Sequence, residues 1–321
     1  MSERGSVNPY AFIVGSARSG TTLLRRIVDA HPLMAISKET HWVPQFYKER
    51  RGLTEEGFVT TQLVSELAAY WRFPRFRIRE DELAKLVEGN GPVSYADFVS
   101  GFYDLIGRAR KKPFVVDKTG SYSREIPLLH GLWPQTRFVH LIRDGRDVAL
   151  SMLSWDTQVG ARRFSTWHED PVTTTGLWWT RNAQLGREGG SALPKTLYHE
   201  LRYENLVAGP ETECKALCAF LGVPYDEGML RFHEGRTRSE PSLAAKQAWL
   251  PITPNLRNWR EQMPPEDVER FEAAAGDLLD ELGYERAFPE PREEFSTRAD
   301  ELRGRVAAEL RAQRQPIPVG W

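Results

Sequence analysis

Residues 13–22 read Ile-Val-Gly-Ser-Ala-Arg-Ser-Gly-Thr-Thr. The glycines at 15 and 20, followed by Thr21 and Thr22, fit the phosphate-loop spacing G-x-x-x-x-G-K-[ST] everywhere but at Thr21, which stands where the lysine belongs. A tight glycine turn at a helix start aims successive backbone N–H groups at one point and makes an anion cradle. Thr21 and Thr22 add hydroxyl donors, and Arg18 adds a planar cation able to make two parallel bonds to one oxyanion. The missing lysine is the group that reaches the outer phosphates of a nucleoside triphosphate, alongside magnesium held by the loop hydroxyl and a strand-end aspartate. Asp117, after the apolar run 114–116, and Thr22 supply those two ligands, so a small-molecule kinase using ATP and magnesium is one reading. Lys118 follows Asp117, however, and the next apolar run ends in Arg143. These strand ends are more cationic than a magnesium site requires, and an anionic ligand without a triphosphate tail fits better. A glycine turn with no ligand is the plain alternative.

Such a loop works only between a strand and a helix. Residues 10–15 form a short apolar run stopped by Gly15, and Leu23, Leu24, Ile27 and Val28 make a helical stripe that Pro32 ends. Further strand-like runs lie at 34–39, 113–118, 137–147 and within 195–207, with helical patterns between them. Alternation of this kind predicts an α/β fold: three layers, αβα, with a central parallel sheet. Ligands bind such sheets outside the carboxyl ends of the strands, so the charged strand ends become the candidates. The chain reads as one domain, 1–321, with a core of about 10–285. Residues 290–321 form a C-terminal helix that is peripheral or an oligomer contact, and a homodimer stays open.

The 321 residues are 40% hydrophobic and 27% charged, with a net charge of −1. Nothing global points to nucleic acid or an anionic membrane, and any basic site must be local. No run approaches the roughly 18 apolar residues of a membrane span, and the first residues lack a signal-peptide pattern. A cytoplasmic enzyme is the expectation. Cys214 and Cys218 share a helix face and read as small buried side chains; two thiols without a histidine pair do not complete a zinc site, and no metal is expected.

The segment 17–32, ARSGTTLLRRIVDAHP, resembles the 5′-phosphosulfate loop of sulfotransferases that use 3′-phosphoadenosine 5′-phosphosulfate (PAPS). RFVHLIRDGRDVALSM, 137–152, resembles their 3′-phosphate motif, and LRYENLV, 201–207, their third recurring segment. The order and spacing match from residue 10 to about 210, nearest to the tyrosylprotein and heparan branches. The resemblance implies a P-loop NTPase-like sulfotransferase fold, PAPS as donor, PAP as product and no catalytic metal. It assigns Arg18, Ser19, Gly20, Thr21 and Thr22 to the phosphosulfate, Arg143 and Ser151 to the 3′-phosphate, and Tyr203 to the neighbourhood of the nucleotide. It also explains the missing lysine, since a phosphosulfate has no γ-phosphate. Without the motif, Arg143 reads as an ion-pair partner of Asp144 or Asp147.

The acceptor must lose a proton as it attacks sulfur, so a base has to sit near the loop. Glu39, in Ser37-Lys38-Glu39-Thr40-His41, matches the place of the glutamate base in those two branches. Its alternative is a solvated carboxylate pairing Lys38. His41 is either a partner that orients Glu39 or a plain loop histidine. Lys118 matches the lysine that stabilises the leaving oxygen; its alternative is an ion pair with Asp117 or Glu125. Arg236, Arg238, Lys246 and Arg257 all qualify for closing on the donor, and Trp155 stands where tyrosylprotein relatives carry a further cation. The aromatic and basic runs 70–80 and 155–179 are the acceptor candidates, although Trp178 and Trp179 suit core packing better than a sugar platform. A small-molecule, glycolipid or saccharide hydroxyl is the expected acceptor, with no nucleic-acid partner. A non-catalytic nucleotide-binding protein is the remaining rival, against which Glu39 and Lys118 speak together.

Overall fold

The computed structural model describes residues 6–89, 91–154, 160–234, 250–253 and 257–312. Arg236, Arg238, Lys246 and Trp155 lie outside them. The chain forms two compact units: Met1–Gly15, Gly20–Leu141 and Gly186–Thr253 make the first, and Ser16–Ser19, Ile142–Leu185 and Pro254–Trp321 the second.

A five-stranded sheet organises the first unit. Its strands are β1 (Ala11–Val14), β2 (Met34–Ile36), β3 (Phe114–Lys118), β4 (Arg137–Ile142) and β5 (Tyr198–Arg202), in the order β2-β3-β1-β4-β5. β1 pairs parallel to both β3 and β4, and β2 parallel to β3. Successive side chains along a strand face opposite sides, and the core divides accordingly. Phe12, Val14, Val115 and Phe138 join an aromatic-rich cluster with Trp42, Phe102, Tyr103 and Tyr122. Ala11, Ile13, Val116, Val139 and Leu141 join an aliphatic one with Leu24, Ile27, Leu217 and Cys218. Apolar side chains on both faces explain why these strands read as continuous apolar runs. The helices that cover them include α1 (Thr21–Ala30), α2 (Trp42–Lys48), Tyr95–Arg110 and Pro210–Leu221. This is the three-layer α/β architecture expected from the sequence.

In the second unit, the helix Gly145–Leu153 starts at Asp144, whose carboxylate accepts from the Arg146 N–H at 2.9 Å. Val148 and Ala149 on this helix pack with Trp179, Trp259 and Phe271. Trp179 is therefore core, as its surroundings in the sequence suggested. The C-terminal helix Glu293–Ala312 buries Ala299, Leu302 and Val306 against Phe164, Leu177 and Ala274, and Arg298 reaches Glu169 at 2.9 Å. Among the described residues, no helix is long and apolar enough to cross a membrane.

Candidate active site

β2 stops at Ile36, and residues 37–40 leave the sheet at its carboxyl end. Glu39 lies in that segment. Its Oε1 accepts from Lys118 Nζ, at the last residue of β3. Its Oε2 lies 3.3 Å from Arg72 Nη1 and 3.4 Å from His41 Nε2. Burial alone would raise the Glu39 pKa, but the hydrogen bond with His41 and the Lys118 ammonium outweigh it and hold the carboxyl well below the usual carboxylate range. Glu39 is therefore ionised. Lys118 is itself buried at 8% exposure. Glu39 turns to Lys118 rather than Lys38, and Glu125 is engaged by Lys48 at 2.5 Å. His41 Nδ1 lies 3.3 Å from Ser121 Oγ, so the ring bridges Ser121 and Glu39. Its backbone sits at φ 37°, a strained value for a histidine that costs on the order of 1–3 kcal/mol. In the sequence Arg72 carries no signal of its own beyond membership of the aromatic and basic run 70–80.

Asp117 does not face the strand end. It is fully buried on the aromatic side of the sheet. Its Oδ2 accepts from Ser37 Oγ at 3.0 Å, Thr40 Oγ1 at 2.9 Å and Tyr103 OH at 2.9 Å. A carboxylate turned inward onto three hydroxyls is not placed to meet a nucleotide's magnesium ion. The reason is parity: Asp117 and Lys118 are consecutive on one strand and point to opposite faces.

The loop after β1 has the backbone that its glycines foretold. Gly15 has φ 148° and donates its N–H to Gly120 O at 3.0 Å, and a Cβ there would run into the Leu141 carbonyl. Gly20, at φ 93°, is the residue before α1, and a Cβ there would fall inside the Tyr203 ring. Tyr203 thus lies against Gly20. α1 starts with no capping side chain and no acidic residue in its first turn, so the N–H groups of Thr21 and Thr22 have no intrahelical partner. Arg18, between the two glycines, sits at φ 72°.

In the second unit, Arg18 Nε donates to Ser151 Oγ at 2.9 Å. Burial, then the charges of Arg257 and Arg143, pull the Arg18 pKa down. Arg143 pairs with Asp147 at 3.0 Å and receives Trp179 Nε1 on its carbonyl at 3.2 Å. Arg257 Nη2 donates to Ser154 Oγ at 3.1 Å. Three guanidinium groups that repel one another lie here with Ser151 and Ser154 beside them, a set of charges and donors of the kind that holds an anion. Of the four basic residues considered for closing on the donor, Arg257 is the one described, and it belongs to this cluster. Arg146 is a different case. It is buried between Asp144 and Glu272, with its guanidinium 3.7 Å from the centre of the Trp259 ring, and it serves the core.

Comparison with known proteins places the chain in a family. The model of the Sulfotransferase family matches residues 9–227. The chain belongs to this family. It is 25% identical over 294 residues to protein-tyrosine sulfotransferase 1 of Danio rerio, a match covering 86% of this chain and 72% of that protein. With protein-tyrosine sulfotransferase 1 of Homo sapiens the identity is 26%, over 86% of this chain and 70% of the other. Among solved structures, the sulfotransferase domain of the Synechococcus PCC 7002 olefin synthase superposes with a TM-score of 0.55 at 23% identity, covering 88% of this chain and 98% of that domain. The sulfotransferase domain from the curacin biosynthetic pathway gives 0.54 at 21%, covering 89% and 100%. This sulfotransferase is thus a transferase of sulfuryl groups with the family's α/β fold, and Glu39, Lys118, Arg18 and Arg143 all lie within the matched residues.

Proposed function

We propose that this sulfotransferase moves the sulfuryl group of PAPS to a hydroxyl acceptor, with Glu39 as general base. The observation that carries this is the pairing of Glu39 with Lys118 where β3 ends. A carboxylate and an ammonium held together there are what proton removal and leaving-group stabilisation require. Residues of the loop fit a phosphosulfate. The Ser16 and Ser19 hydroxyls are buried without a hydrogen-bond partner among the described residues, and the start of α1 is uncapped. In this reading Arg18, Ser19, Gly20, Thr21 and Thr22 hold the 5′-phosphosulfate, and Arg143 and Ser151 the 3′-phosphate. Tyr203 lies beside the nucleotide. The acceptor oxygen forms its bond to sulfur as the bridging oxygen of the donor leaves with PAP. The acceptor proton passes to Glu39, and Lys118 compensates the charge that grows on the bridging oxygen. A carboxylate held below its usual range is a weak base. Lys118 turning from Glu39 to the leaving oxygen makes Glu39 more basic when donor is present. His41 and Arg72 keep the carboxylate aimed.

The acceptor enters past the run that holds Arg72. Trp71 is 64% exposed, with the Arg72 and Arg75 guanidinium groups 4.4 and 5.0 Å from its ring centre. A ring laid beside an exposed indole and two cations suits a small phenol, a glycolipid or a saccharide. The names of the relatives favour a second reading, a tyrosine of a polypeptide. Transfer of labelled sulfate from PAPS to a panel of alcohols, phenols, saccharides and tyrosine peptides tests both. Label that moves only from ATP would refute the donor assignment. Cytoplasmic location belongs to the same proposal and is checked by fractionating the native cell.

A further inference from the structure

The Asp117 carboxylate is the most heavily coordinated buried acid of the first unit, and the chemistry proposed above leaves it without a task. A carboxylate in an aromatic core costs several kcal/mol unless its oxygens are satisfied. Three hydroxyls satisfy Oδ2, while Oδ1 is buried with no hydrogen-bond partner among the described residues, and the three come from a telling place. Ser37 and Thr40 are the two ends of the short segment whose interior is Lys38 and Glu39, and both hydroxyls end on Asp117 Oδ2. The backbone repeats the pattern. Ser37 N donates to Val116 O at 3.0 Å, and Thr40 N to Thr119 Oγ1 at 3.1 Å. The segment is therefore tied at both ends to residues 116–119 of one strand end, and Lys118 stands among them. Tyr103, from the helix Tyr95–Arg110, brings the third hydroxyl at 2.9 Å. Thr40 spends its only hydroxyl proton on Asp117, so the 2.6 Å contact between Thr40 Oγ1 and Tyr122 OH has Tyr122 as donor. That fixes the direction of every bond in the group.

We propose that Asp117 is a positioning residue that presents Glu39 to Lys118. One strand end does both jobs: Asp117 clamps the segment from the aromatic face, and Lys118, next in sequence, meets the carboxylate on the other. The strained backbone of His41, directly after Thr40, is held by the same clamp. The proposal rests on the reading of Glu39 as the base, and a double-mutant cycle separates the two.

The cycle uses the full-length enzyme with PAPS and the best acceptor of the panel. Asp117→Leu keeps the approximate size but removes the oxygen on which all three hydroxyls end. We expect kcat to fall by about 10- to 100-fold, the range for a catalytic group misplaced by about 1 Å, with the dissociation constant for PAP within about twofold of wild type. Thr40→Val and Ser37→Ala each remove one tie and lower kcat in the same direction, which keeps the idea testable if Asp117→Leu does not fold. In a Glu39→Gln background these changes should alter the residual rate by less than about twofold, because no base is left to misplace. The same fold-loss in both backgrounds would overturn the positioning role, as would full kcat in folded Asp117→Leu or Thr40→Val. A wild-type kcat for Glu39→Gln alone would instead overturn the base assignment.

Discussion

Replacing Glu39 by glutamine is the sharpest perturbation of this site. The side chain keeps its length, and the amide oxygen can still accept from Lys118. What disappears is the negative charge that meets Lys118, Arg72 and His41, and with it the capacity to take a proton. General-base removal costs about 10²- to 10⁴-fold in rate, which is about 3 to 5 kcal/mol of transition-state stabilisation. Stability should change little, because the Glu39 side chain is 36% exposed and its ion pairs are partly screened. Nucleotide binding should hold or tighten, since Lys118 loses its resting partner and is free to meet an anion. The assay is a pair of measurements on one preparation: kcat with labelled PAPS, and the dissociation constant of PAP by calorimetry. A rate loss of at least about 100-fold with PAP affinity within about threefold of wild type is expected. Equal losses in both would mean that Glu39 holds the nucleotide site together instead of taking a proton, and an unchanged kcat would remove it from the chemistry.

Arg143→Ala should weaken PAP binding by about 10- to 100-fold, the worth of a charge-assisted bond, while the wild-type isotherm loses affinity with added salt; an unchanged isotherm for the variant would take Arg143 out of the 3′-phosphate role. Gly20→Ala forces an alanine to φ 93° with its Cβ inside the Tyr203 ring, so thermal unfolding should show a loss of about 1–3 kcal/mol, part of which Tyr203→Ala restores. Trp71→Ala should raise the acceptor KM and leave the PAP affinity and the melting temperature near wild type, because an exposed side chain contributes little to the fold. His140 is fully buried and its pKa is pushed down to about 4, chiefly by burial, with the Arg187 and Arg202 charges assisting and Glu200 opposing. Its folded form therefore binds a proton less readily than the unfolded chain, whose histidine titrates near 6.5. Stability contributed by neutral His140 is full above about pH 6.5 and falls as the pH drops toward 4, by up to roughly 3 kcal/mol; urea titrations at pH 7 and pH 5 should show that slope, and His140→Asn should flatten it.

Much of the fold was legible because its signals are local. Five strand-like runs, the first stopped by Gly15, became the five strands, and the Gly15 to Gly20 spacing became a turn with positive φ at both glycines. The register of the segment after β2 was not legible. The run 34–39 reads as strand to its end, yet β2 stops at Ile36, because Ser37 and Thr40 find better acceptors on β3 than a straight continuation would offer. That departure is what brings Glu39 to Lys118. Arg72 was hidden for a different reason. Nothing in a run of arginines and aromatics says which guanidinium will meet a carboxylate 33 positions earlier in the chain, since that contact depends on the path of the helices between them.

The pair Asp117-Lys118 shows how one residue of parity separates two enzyme classes. Read as a string, an apolar run followed by Asp-Lys offers either a metal-binding carboxylate with a lysine neighbour or a cation with an aspartate neighbour. A strand end can aim only one of two consecutive side chains along a given face. β1 pairs with β3 so that Phe12 stands opposite Asp117 and Ile13 opposite Lys118. Phe12 belongs to the aromatic cluster and Ile13 to the aliphatic one, so Asp117 must go inward among Tyr103 and Tyr122, and Lys118 is left for Glu39. Moving the run by one position along β3 would exchange the two roles, burying a lysine among tyrosines and turning a carboxylate toward Glu39. Two carboxylates at that distance would raise each other's pKa and repel an anionic donor. The register of β3 therefore selects a strand end that aims Lys118 at Glu39, and Thr21 in place of the loop lysine fits the donor proposed above, whose outer group is not a triphosphate.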